Sequence, residues 1–85
     1  MPDESWGTGL KRLREARGLS RAELAAIVVK LGRRTEQSDI RSYEEDGYFP
    51  RIQTFAALAR ALGVSLDVLW YGEEKAEQLA WERER

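Results

Sequence analysis

The sequence predicts an all-α protein, a compact orthogonal bundle of five short helices with a C-terminal helical extension. Three observations carry that expectation. Apolar residues recur at helical spacing, and no stretch alternates as a half-buried strand would. Gly18, Gly32, Gly47, Gly63 and Gly72 divide the chain into short lengths. Ser20 and Ser65 stand where helix caps belong. Short helices with tight turns suit crossing packing, whereas an up-and-down bundle needs longer ones.

The first helix is expected from Thr8 to Ala16, with Leu10 and Leu13 inward and Arg17-Gly18 ending it. Trp6 precedes it and covers one end of the core. The second opens on a capping box, Ser20 with Glu23 three residues on. Leu24, then Ile27 or Val28, then Leu31 recur along it, and Gly32 stops it. The third starts after Thr35, whose hydroxyl is expected to cap it. It places Ile40, Tyr43, Glu44 and Gly47 on one side, and Ser38, Arg41, Ser42 and Glu45 on the other, with Gln37 at the rim. The fourth runs from about Arg51 to Leu62, with Ile52, Phe55, Ala59 and Leu62 inward. Ser65 caps a short fifth helix carrying Leu66, Leu69 and Trp70. From Glu73 to Glu84 a thin stripe of Ala76, Leu79 and Ala80 marks a further helical segment. Residues 1–72 are read as one domain and 73–85 as a helical tail.

Eighty-five residues make one small domain, which buries only about 60–65% of its unfolded surface. The chain has no cysteine and no histidine. That leaves no disulfide framework, no thiolate metal site and no imidazole base, so neither a metal nor a cofactor is expected. An enzyme is not expected either: Glu44, Glu45 and Asp46 diverge on a helix rather than converge on a substrate. No apolar run approaches a membrane span and Met1-Pro2-Asp3-Glu4 is no signal peptide, so a cytoplasmic protein is expected. The net charge of −1 is unusual for a nucleic-acid binder. Its distribution is more favourable. Residues 5–60 carry a net of +4, and the acidic surplus lies in Asp3, Glu4, Asp67 and the tail.

One ordered set of segments carries a resemblance. Gly18-Leu19-Ser20-Arg21-Ala22-Glu23-Leu24-Ala25 comes first, then Ile40-Arg41-Ser42-Tyr43-Glu44. Pro50 to Arg60 follows, closed by Ala61-Leu62-Gly63-Val64-Ser65-Leu66. This order resembles the lambda-repressor-like (Cro-type, XRE) helix-turn-helix family over roughly residues 9–72. The resemblance implies a sequence-specific transcriptional regulator, a repressor that binds double-stranded DNA at a palindromic operator as a homodimer. Helix three would lie in the major groove, with Gln37, Ser38, Arg41 and Ser42 toward base edges. Gln suits adenine and Arg suits guanine as bidentate partners. Ser20, Arg21, Arg33, Arg34 and Arg51 would meet phosphates, and Arg14 with Glu44 would form a partly buried ion pair between helices one and three. The dimer would form near Val68, Trp70 and Tyr71, helped by Leu79 and Trp81.

The chain departs from the family in four places. The segment between helices two and three is longer, one extra residue lies between Glu44 and Gly47, Glu45 and Asp46 replace basic residues, and the tail is acidic. The alternative reading is a protein-interaction module, or an antitoxin-like regulatory subunit with a protein partner, on the same fold. The acidic balance and the aromatics Trp70, Tyr71 and Trp81 favour that alternative.

Overall fold

A computed structural model describes residues 6–72 and 75–79. Helix α1 spans Trp6–Ala16, α2 Arg21–Lys30, α3 Gln37–Arg41, α4 Ile52–Leu62 and α5 Leu66–Tyr71. Between α3 and α4 the chain winds once as a π-turn, Ser42–Asp46. Residues 75–79 are helical, with Ala76 buried. The remainder of the expected tail lies outside the described residues. Helix α1 packs on the π-turn and on α5, α2 packs on α3 and α4, and α4 meets α5.

Leu10, Leu24, Val28, Ile40, Leu58 and Leu69 are the fully buried large side chains. Every one of the five helices supplies at least one, so no helix can leave without opening the core. Between Ile27 and Val28, the structure buries Val28.

Helix α1 starts two residues earlier than expected, with Trp6 in its first turn. Tertiary packing outweighs the low helical propensity of Gly7 here. A Cβ at Gly7 would lie 2.1 Å from the Tyr43 carbonyl oxygen, so the glycine lets α1 touch the π-turn backbone. Trp6 then contacts Tyr43, Phe49 and Phe55 at ring separations of 5.6, 5.3 and 5.8 Å. At its other end α1 closes with paired bonds, Leu19 N–H to Arg14 C=O and Gly18 N–H to Glu15 C=O. This closure needs a left-handed residue, and Gly18 supplies it with φ +67°.

The capping box at α2 is formed in both directions. Glu23 N–H donates to Ser20 Oγ at 3.0 Å, and Ser20 N–H donates to the Glu23 carboxylate at 2.8 Å. At α3 the cap is Glu36, not Thr35. Glu36 N–H donates to the Asp39 carboxylate at 2.9 Å. Thr35 points inward, and its hydroxyl donates to Arg33 C=O, so it closes the long turn instead of opening the helix.

The extra residue before Gly47 has a visible outcome. Gly47 N–H donates to Ser42 C=O, five residues back, and the helix end is wound wide rather than broken. Helix α4 shows one difference from expectation. Ile52 is 59% exposed, while Thr54, Phe55, Leu58, Ala59 and Leu62 are buried. Ile52 occupies the first helical position, beyond the end of the core that α4 covers.

Candidate nucleic-acid interface

Helices α2 and α3 with the turn between them form a helix-turn-helix unit, held from behind by α1. The hold is electrostatic as well as apolar. Arg14 Nε donates to Glu44 Oε2 at 2.6 Å, and its Nη2 donates to Oε1 at 3.1 Å. Arg14 Nη1 also donates to Leu19 C=O at 2.7 Å. The Glu44 side chain is fully buried and that of Arg14 nearly so. A buried pair needs this kind of two-point geometry to offset its desolvation. It fixes the end of the α3 segment against α1.

Ile40 and Glu44 lie one helical turn apart and face inward, so the opposite side of α3 turns to solvent. Gln37, Ser38 and Arg41 are exposed there, and Ser42 is half-buried at the start of the π-turn. The Arg41 guanidinium faces the Glu45 carboxylate at 3.7 Å. Three of these four polar residues lie on α3 and Ser42 begins the π-turn that continues it, a segment whose other face is fixed in the core. The face has donors and acceptors of a length suited to base edges.

The five candidate phosphate contacts differ in their engagement. Ser20 Oγ accepts from Glu23 N–H, and its hydroxyl is engaged with the Glu23 carboxylate. Arg21 donates from Nε to Glu44 Oε1 at 3.0 Å and from Nη2 to Glu45 Oε2 at 2.6 Å. Arg33 crosses from the long turn to α4, where Nε donates to Thr54 Oγ1 at 3.2 Å. Arg34 is exposed. Arg51 is exposed at the N-cap of α4, whose first turn has no side-chain cap. Arg33 and Arg51 thus stand at the same helix start, an arrangement that favours an anion.

These contacts shift the local ionisation. Hydrogen bonds to Glu45 and then Glu44 raise Arg21 above its ordinary value. The bond from Arg21 holds Glu45 below the usual carboxylate range. Glu23 is lowered by the Ser20 backbone N–H. Burial, with the Asp39 charge beside it, pushes the Tyr43 phenol up.

The reading of residues alone missed the Arg21–Glu45 and Arg33–Thr54 contacts. Their partners stand 24 and 21 residues apart, beyond any helical period. A partial signal existed for Glu45, which stands four residues after Arg41.

At the expected dimer surface Val68 is half-buried, and Trp70 and Tyr71 are each 48% exposed. Trp70 sets its edge on Phe49, with ring centres 5.3 Å apart. Leu79 is half-buried, and Trp81 lies outside the described residues. Among the described residues no group of acidic side chains is arranged to hold a metal ion. No described helix is long and apolar enough to cross a membrane.

The family model described as Helix-turn-helix matches residues 10–69. That span runs from the first core leucine of α1 to the buried leucine of α5 and includes the whole α2–α3 unit. No curated protein matches the chain.

Proposed function

The chain belongs to the lambda-repressor-like (XRE) helix-turn-helix family of DNA-binding transcription regulators, and from that premise we propose that it is a repressor reading a palindromic operator with α3 in the major groove. The observation that carries the proposal is the two-sidedness of α3. Ile40 and Glu44 anchor one face, and Gln37, Ser38 and Arg41 are exposed on the other with Ser42 beside them. Arg41 is the guanine reader and Gln37 the adenine reader. Ser20, Arg34 and Arg51 contact phosphates and set the register, with Arg33 held against α4 as a further contact. Arg21 belongs to the same set once its acidic partner is displaced.

A second copy of the chain is the proposed partner, paired through Val68, Trp70 and Tyr71 with Leu79 and Trp81. Two recognition helices then meet the duplex one turn apart, about 34–36 Å. Exposed aromatic area at Trp70 and Tyr71 supports this pairing. Sedimentation of the full chain, free and on DNA, tests it, and a monomer in both states refutes it.

Site selection from random duplexes with the full chain tests the main proposal. A palindromic motif is expected. An absence of enrichment would refute the operator reading and favour a protein-interaction module or antitoxin-like subunit built on the same fold.

A further inference from the structure

Glu45 joins two arginines that the proposed function places on DNA. Its Oε2 accepts from Arg21 Nη2 at 2.6 Å, and its Oε1 lies 3.7 Å from Arg41 Nε. One carboxylate, 45% exposed, therefore spans a phosphate candidate and a base reader.

Its neighbour Glu44 behaves differently. That side chain is fully buried and accepts from both Arg14 and Arg21. Releasing it would strand buried charge, so it stays. Its bond to Arg21 Nε orients the guanidinium and leaves Nη2 to Glu45. Glu45 is the exchangeable member of the cluster. A carboxylate and a phosphate offer an arginine fork equivalent acceptor oxygens. Glu45 thus fills the place that a DNA phosphate would take on Arg21. Arg14 and Arg21 against Glu44 and Glu45 also form a neutral group beside the start of α2, where an anion would otherwise be favoured.

We propose that Glu45 is an internal competitor of DNA, a stand-in for a backbone phosphate that holds Arg21 and Arg41 until a duplex displaces it and so lowers affinity. The inference rests on the DNA-reading role proposed above. A random duplex offers Arg21 a phosphate, so only the Arg21 pairing with Glu45 must be broken there. A matched duplex takes Arg41 as well, so both pairings must be broken. Glu45 therefore lowers affinity for both duplexes, and for the matched site at least as much as for random sequence.

The test uses the full chain as wild type, E45Q, D46N, R21A and the double variant R21A/E45Q, with melts to confirm folding. Each is titrated over a range of salt against the site selected by the wild type and against a random duplex. D46N removes an adjacent exposed carboxylate that takes part in neither arginine pairing, so it measures general charge repulsion. E45Q is expected to raise random-duplex affinity about two- to fivefold beyond D46N, the scale of an exposed ion pair. It should steepen the salt dependence by about 0.9, one added phosphate contact, and raise affinity for the matched site at least as much. In the R21A background the excess over D46N should vanish. Equal effects of E45Q and D46N, or a gain that survives R21A undiminished, would overturn the inference alone. So would an E45Q that weakens only the selected site, because Glu45 would then be reading a base. A wild type that binds neither duplex would overturn the DNA-reading role and this inference with it.

Discussion

Replacing Glu44 by alanine should be among the most damaging single changes in the chain. Glu44 accepts three hydrogen bonds, from Arg14 Nε at 2.6 Å, Arg14 Nη2 at 3.1 Å and Arg21 Nε at 3.0 Å. Without it, the Arg14 guanidinium keeps only the Leu19 carbonyl, on a side chain 9% exposed. An uncompensated buried charge of this kind costs about 3–5 kcal/mol. Arg14→Ala differs, because Arg21 still neutralises the Glu44 carboxylate. The cost should fall to roughly 2–3 kcal/mol, the loss of charge-assisted hydrogen bonds and packing. A domain of this length is stable by only about 4–13 kcal/mol. Either change therefore removes a large share, and Glu44→Ala should lower Tm by at least about 12 °C. Urea unfolding of both singles and the double variant is the assay. The double should cost less than the sum of the singles, since both break the same Arg14–Glu44 bonds and Arg14→Ala removes the charge that Glu44→Ala alone would strand. Single effects below about 1 kcal/mol that simply add would refute the reasoning, and an Arg14→Ala more harmful than Glu44→Ala would refute the compensating role of Arg21.

Gly7→Ala should cost roughly 3 kcal/mol or more, because its Cβ would lie 2.1 Å from the Tyr43 carbonyl oxygen and that oxygen belongs to backbone; an unchanged melt would mean that α1 does not approach the π-turn so closely. Arg41→Ala should cost about 1–3 kcal/mol per half-site on a matched duplex and relax the preference for one base, while Arg51→Ala should weaken matched and scrambled duplexes alike and flatten the salt dependence. Titrating both variants against both duplexes at two salt concentrations separates these roles, and an Arg41→Ala that weakens both duplexes equally would make Arg41 a phosphate contact. Acid should destabilise the fold in part through Glu23, whose folded value lies below the ordinary 4.5 because the Ser20 N–H donates to it. That contribution is present above the unfolded value and is lost as pH falls through the folded one, so Glu23→Gln should show a shallower acid limb below about pH 4.5 in melts across pH. An unchanged limb would remove Glu23 from the acid response.

The sequence by itself determined what depends on near neighbours. Ser20 and Glu23 are three residues apart, and a capping box acts over that distance. The apolar periodicity and the glycine stops delimit five helices, and helical periodicity puts Ile40 and Glu44 on one face with Arg41 away from it. Only the tertiary structure decided the features whose partners are remote. Thr35 gave up the cap position because the long turn needed closing at Arg33, and Glu36 took it. Gly7 entered a helix because a backbone from residues 43 and 44 packs against it. Ile52 satisfies the apolar period of α4 and still faces outward, since period assigns a direction but not what stands there. Arg21 is the sharpest instance. Its position at the start of α2 suggests a free cation, and its charge is instead shared between Glu44 and Glu45, more than twenty residues away. Local rules act over three or four residues of chain, whereas an ion pair answers only to distance in space, and distance is set when the helices pack.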